Sequence, residues 1–128
     1  MKLVILIAGA GALGSVCRFA LSGAVYSAFG QSFPYGTLAV NVIGSFLLGL
    51  LMQLGMSTDL IPPHLRTAVA IGFLGAFTTF STFTYETVQL IQDGAWGSVA
   101  LNIMTSLALG IAAVVAGIFT GRMLAGGS

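Results

Sequence analysis

Four long apolar runs separated by three short polar interruptions take up almost the whole sequence, and that alternation leaves little choice of fold. Each run is near the ~20 residues that a helix needs to cross a hydrocarbon core. They cover about 3–29, 37–54, 67–92 and 98–124, so the chain reads as a single domain, 1–128, with no soluble appendage. Charged residues make up 5% of it and hydrophobic ones 57%, against about 25% charged in an ordinary soluble domain. The expected class is an all-α membrane protein of four transmembrane helices. The first run follows Lys2 directly, as a signal peptide would, but the sequence after it is equally apolar, so it reads as a retained span.

The interruptions carry turn chemistry. Gly30 to Gly36 includes Pro34, Gly55 to Leu65 includes Asp59, Pro62 and Pro63, and Asp93 is followed by Gly94. Trp96 sits where an interfacial aromatic anchor belongs. Four basic residues and a net charge of +1 offer no patch for nucleic acid. A single Cys17 excludes an intramolecular disulfide and a Cys-based zinc site, and His64 has no second His with which to share a metal. No metal-ligand cluster or nucleophile set points to an enzyme.

Within the third run, Gly72 to Glu86 reads GFLGAFTTFSTFTYE. Five of the seven residues from Thr78 to Thr84 carry a hydroxyl, and the other two, Phe80 and Phe83, fall on nearly one helical face. Lipid offers such groups no hydrogen-bond partner, so they must face protein or a water-filled path. The third span is therefore expected to be two half-helices around a non-helical break, with freed carbonyls able to hold a cation and amide N–H groups favouring an anion. A protomer of four short spans has little interior for a pore, which implies a homo-oligomer with its site at or beside the subunit interface.

Other polar residues interrupt the apolar runs. Arg18 lies well inside the first span, at a cost of at least ~2.5–3.5 kcal/mol near the bilayer centre, so it must pair or line a wet cavity. Gly9, Gly11 and Gly14 match a dinucleotide-binding spacing, but no acid occurs before Asp59, and with Ser15 they read as helix-packing residues. Asn41 stands one turn after Thr37 on the second span, and Asn102 and Ser106 are four apart on the fourth. Gly110, Ala113, Gly117 and Gly121 form a small-residue stripe suited to close helix contact.

Three blocks together, GAGALGSVCRF ending at Phe19, FPYGTLAVNVIGSFLLG from Phe33 to Gly49, and GFLGAFTTFSTFTYET from Gly72 to Thr87, resemble the Fluc (CrcB) family of microbial fluoride channels. The resemblance implies an antiparallel, dual-topology homodimer in the cell membrane, with two pores and a third helix broken mid-membrane. It implies passive fluoride export and hence fluoride resistance. It assigns Asn41 as the pore amide, Phe80 and Phe83 as the aromatic box, and Thr37, Ser81, Thr82 and Glu86 to the polar path. Asn102 and Ser106 extend that path more loosely, and Arg18, read from its depth in the span as a vestibule or partner residue, is counted with the fluoride path. A structural sodium ion at the dimer centre is assigned to the backbone carbonyls of Gly75 and Thr78.

The residue chemistry is compatible with that assignment. Fluoride is small and strongly hydrated, so amide and hydroxyl donors must replace its water. The positive edges of Phe rings can meet an anion without holding it tightly. Glu86 is awkward for an anion: either neighbouring hydroxyls hold it aside, or burial keeps it neutral. By the positive-inside rule, Lys2, Arg66 and Arg122 on one side against Arg18 on the other give only a small bias. The alternative is a small dual-topology, proton-coupled multidrug exporter using Glu86, although such exporters carry their acid in the first helix, where this chain has Arg18. An accessory subunit of a larger membrane complex would explain the glycines but not the hydroxyl block.

Overall fold

The structure is a computed structural model that describes residues 1–126. Helix α1 (Lys2–Phe29) ends at Gly30, whose φ of 89° turns the chain and whose N–H bonds the Tyr26 carbonyl at 2.8 Å. Helix α2 (Tyr35–Ser57) follows. The third apolar segment, Pro63–Gln92, is composite: α3 (Pro63–Thr67), a π-helical segment (Ala68–Leu74), α4 (Gly75–Phe77) and α5 (Phe80–Gln92). Pro63 takes the first helical position, where its missing N–H costs nothing. Gly94, at φ 71°, closes the turn into α6 (Trp96–Leu124). Among the described residues the chain is thus all-α, with four helical segments long and apolar enough to cross a membrane.

Thr78 and Thr79 interrupt the third segment. Their backbones are extended, at φ −86°, ψ 158° and φ −149°, ψ 111°. The seven-residue π-helical segment Ala68–Leu74 also departs from α geometry, so the short α4 is flanked by irregular backbone on both sides.

Two helix pairs organise the packing. Helix α6 lies along α2, and α1 lies along the π-helical segment and α4. Within each pair the register rises together: Gly110, Gly117 and Gly121 approach Ser45, Phe46 and Gln53, while Gly11 and Gly14 approach Gly72 and Phe73. Both pairs are therefore parallel. Small residues permit them. A Cβ on Gly49 would strike the Val114 carbonyl, one on Gly117 the Phe46 carbonyl, and one on Gly14 the Phe73 carbonyl. Between the pairs sits a small core of Val40, Leu74 and Phe77, with Phe77 stacked on Phe73 at 5.8 Å. The outer faces of the long helices remain apolar and uncovered, as suits surfaces that meet lipid or another chain.

Gly117→Val places three heavy atoms where the α2 backbone now lies. It is expected to lower stability in detergent by about 1–3 kcal/mol, the usual cost of overpacking, whereas Gly97→Ala, with open space around it, stays within about 0.5 kcal/mol. Chemical unfolding of both variants checks this.

Candidate functional site

In a continuous helix the Thr79 N–H would bond the Gly75 carbonyl and the Phe80 N–H the Ala76 carbonyl. At the extended Thr78–Thr79 step the Thr79 N–H and the Ala76 carbonyl find other partners. The Asn41 side chain reaches from α2 and bonds Thr79 twice: its Oδ1 accepts the Thr79 N–H at 2.7 Å and its Nδ2 donates to the Thr79 carbonyl at 3.1 Å. Arg18 reaches from α1, and its Nε donates to the Ala76 carbonyl at 3.1 Å. A half-buried guanidinium thereby meets a helix C-terminus, where cations are favoured. Thr78 Oγ1 donates to the Leu74 carbonyl at 2.9 Å.

Thr79 also starts α5. Its Oγ1 accepts the Thr82 N–H at 3.2 Å, an N-cap, and donates to Thr82 Oγ1 at 2.9 Å, with Ser81 Oγ at 3.5 Å. Phe80 and Phe83 follow, ring centroids 5.9 Å apart and tilted by 47°. Phe80 is 77% exposed in the single chain. A cavity of about 300 Å³ opens beside this step, walled by Asn41, Ser45, Gly75, Thr78, Thr79 and Phe80 among others. Asn41 has a second N–H on Nδ2 beyond the one given to Thr79.

A second polar cluster lies further along α5. Glu86 accepts from Tyr26 Oη of α1 at 2.6 Å and, through its other oxygen, from Thr37 Oγ1 of α2. The Tyr26 and Thr37 hydroxyls are 3.3 Å apart. Tyr26 and Glu86 also wall a larger cavity, about 590 Å³, together with residues of the α1–α2 turn and the end of α5. Of the two possibilities left open for Glu86, the hydroxyl partners are present.

Thr37 and Asn41, one turn apart on α2, both address the third segment but reach different clusters. Asn102 is only 1% exposed, and its Nδ2 donates to Thr87 Oγ1 at 3.0 Å, with Ser106 Oγ 3.5 Å from its Oδ1. It joins α6 to α5 through Thr87 and makes no hydrogen bond to either cluster within the chain.

Sequence reasoning passed over Tyr26, Thr79 as a cap, and Ala76. Tyr26 was detectable, because Arg18, Ser22 and Tyr26 recur at four-residue spacing and form a polar stripe along α1. Ala76 takes part only through its backbone, so its side chain gives no signal.

The family described as "CrcB-like protein, Camphor Resistance (CrcB)" matches residues 5–118. The chain belongs to the CrcB-like family. Among its CrcB-like relatives, the "Fluoride-specific ion channel FluC" of Geobacter sulfurreducens is 50% identical over 124 residues, covering 97% of this chain and 100% of that protein. The protein of the same name from Citrifermentans bemidjiense matches with the same identity and coverage. That of Syntrophotalea carbinolica is 49% identical over 114 residues, 89% of this chain and 93% of the relative. With four membrane-capable helices and these relatives, this CrcB-like chain is a multi-pass membrane protein.

Asn41→Leu strands the Thr79 N–H and carbonyl beside apolar side chains, so it is expected to cost about 1–3 kcal/mol. Faster amide exchange at Thr79, with little change in the middle of α6, is the accompanying signature.

Proposed function

We propose that the chain forms a fluoride-selective channel through which fluoride leaves the cell passively, driven outward by a negative-inside potential, so that the cell resists fluoride. The observation that carries the reading is the half-identity, over essentially the whole length of both chains, to proteins named fluoride-specific ion channels. The geometry agrees with it. Asn41, the Thr79, Ser81 and Thr82 hydroxyls and the Phe80–Phe83 pair gather at the extended step, which is the mid-membrane break of the proposed pathway. Amide and hydroxyl donors replace fluoride's water, and ring edges present a weak positive potential that lets the ion go. Thr37 and Glu86 form the vestibular end, and Asn102 and Ser106 flank α5 from α6.

The functional unit is an antiparallel homodimer with two pores. The exposed Phe80 ring and the open wall at Gly75, Thr78 and Ser45 support this, because one chain leaves the pathway unclosed on that side. A structural sodium ion fits the same region. The Gly75 carbonyl loses its ordinary donor because the Thr79 N–H is taken by Asn41, and carbonyl oxygens are the hard ligands such a cation takes. The carbonyls of Gly75 and Thr78 from each subunit would hold the ion, which would supply fixed positive charge there. The exporter alternative calls for a carboxylate open to a bulky cation, whereas both Glu86 oxygens are engaged by hydroxyls.

Fluoride efflux from proteoliposomes, read with a fluoride electrode beside a chloride control, tests the reading: fluoride release without chloride release is expected, lost in Phe80→Ile. No release from a folded dimer refutes it. Sodium is expected to raise the unfolding temperature of the purified dimer relative to choline by mass action, an effect weakened in Gly75→Pro; equal unfolding temperatures in the two salts remove the sodium assignment.

A further inference from the structure

The Glu86 cluster draws on three separate elements. Tyr26 comes from α1, Thr37 from α2 and Glu86 from α5, and the carboxylate takes one hydroxyl proton on each oxygen. The Tyr26 ring is seated against Gly36, where a Cβ would run into the ring and the Ser22 carbonyl. Tyr26 is thus fixed against the first turn of α2, just ahead of Thr37, with its hydroxyl 2.6 Å from Glu86 Oε2 and 3.3 Å from Thr37 Oγ1.

Proton counting constrains what this cluster can do. A hydroxyl has one proton, and an ionised carboxylate only accepts. In the observed arrangement Tyr26 and Thr37 both spend their protons on Glu86, so neither has one for a passing anion. For Thr37 to serve an anion, it must turn its proton away from Glu86 Oε1. The part-buried carboxylate then depends on Tyr26 alone; without that bond it would be a charge with no donor, which is costly enough to keep the Thr37 proton locked in place.

We propose that Tyr26 is a positioning residue, the standing donor that holds the Glu86 carboxylate while Thr37 shifts its single proton from that carboxylate to the anion. The inference rests on the channel reading and extends it to a residue outside the three blocks of family resemblance. Asn41, one turn beyond Thr37 on α2, lies next along the same helix face, so the proton freed at Thr37 prepares the ion for the amide ahead.

Fluoride efflux from liposomes containing the full-length chain tests it through a double-mutant cycle. Tyr26→Phe keeps the ring in its Gly36 seat and removes only the hydroxyl. It is expected to slow fluoride release about tenfold, the scale of one charge-assisted hydrogen bond, whereas Tyr85→Phe, which removes an exposed hydroxyl next to Glu86 in sequence, leaves the rate unchanged. In a Glu86→Gln background, with no carboxylate to hold, Tyr26→Phe is expected to change the rate less than about twofold. A second readout is independent of transport. Glu86 is the only glutamate in the sequence, so carboxyl-¹³C glutamate labelling gives one side-chain resonance, expected to move in Tyr26→Phe and stay in place in Tyr85→Phe. Equal rates for Tyr26→Phe and the parent, an undiminished loss in the Glu86→Gln background, or an unmoved resonance each overturn this inference while leaving the channel reading intact. A parent chain that releases no fluoride overturns both.

Discussion

A main chain that stops being helical within an apolar segment leaves released backbone groups in need of new partners, and the structure depends on how that demand is met at Thr78 and Thr79. Asn41 pairs with both backbone groups of Thr79, Arg18 takes the carbonyl of Ala76, and the Thr79 hydroxyl caps the next helix. These bonds come from α2, α1 and the third segment itself, so the irregular step also pins three elements together. Among the described residues, no buried side-chain polar atom is left without a partner. The residues that looked most out of place in an apolar sequence, an arginine and an asparagine, are the ones that make the irregular backbone tolerable.

This gives Asn41 two tasks. Its carbonyl oxygen and one amide proton are committed to Thr79, which fixes the side chain's orientation, and the remaining amide proton is the one the proposed channel offers to fluoride. Arg18 resolves similarly. Eleven residues from the end of α1 it is too deep to escape comfortably to water, and a carbonyl released by the irregular step receives it. In the proposed channel, site and scaffold share the same hydrogen bonds, so changes at these positions are expected to act on stability and on conduction together.

Much of this was legible in the sequence for simple reasons. Apolar runs of membrane length gave the four helices, and family blocks from Phe33 to Gly49 and from Gly72 to Thr87 gave the family. The hydroxyl-rich run marked where polar groups gather, because nothing else explains Thr and Ser at that density in a span. Backbone-mediated contacts were not legible: Ala76 contributes a carbonyl, and no side-chain pattern announces it. Tyr26 escaped notice because its partner Glu86 lies 60 residues away. Asn102 could be placed on a helix face from spacing alone, but its partner Thr87 required the packing of α5 on α6.

The parallel arrangement of the helix pairs has a consequence for biogenesis. Partners in a parallel pair cannot be neighbours in sequence, since adjacent spans cross in opposite directions; α1 must await the third segment, and α2 must await α6. During synthesis, then, the first two spans enter the bilayer before either has its main partner, and Arg18 arrives two spans ahead of the Ala76 carbonyl that will receive it. The nascent protein has to shelter that guanidinium in the insertion machinery, in a water defect or against headgroups until the third segment emerges. The glycine contacts of α1 can form once the third segment has emerged, whereas those that join α2 to α6 must wait for the last span.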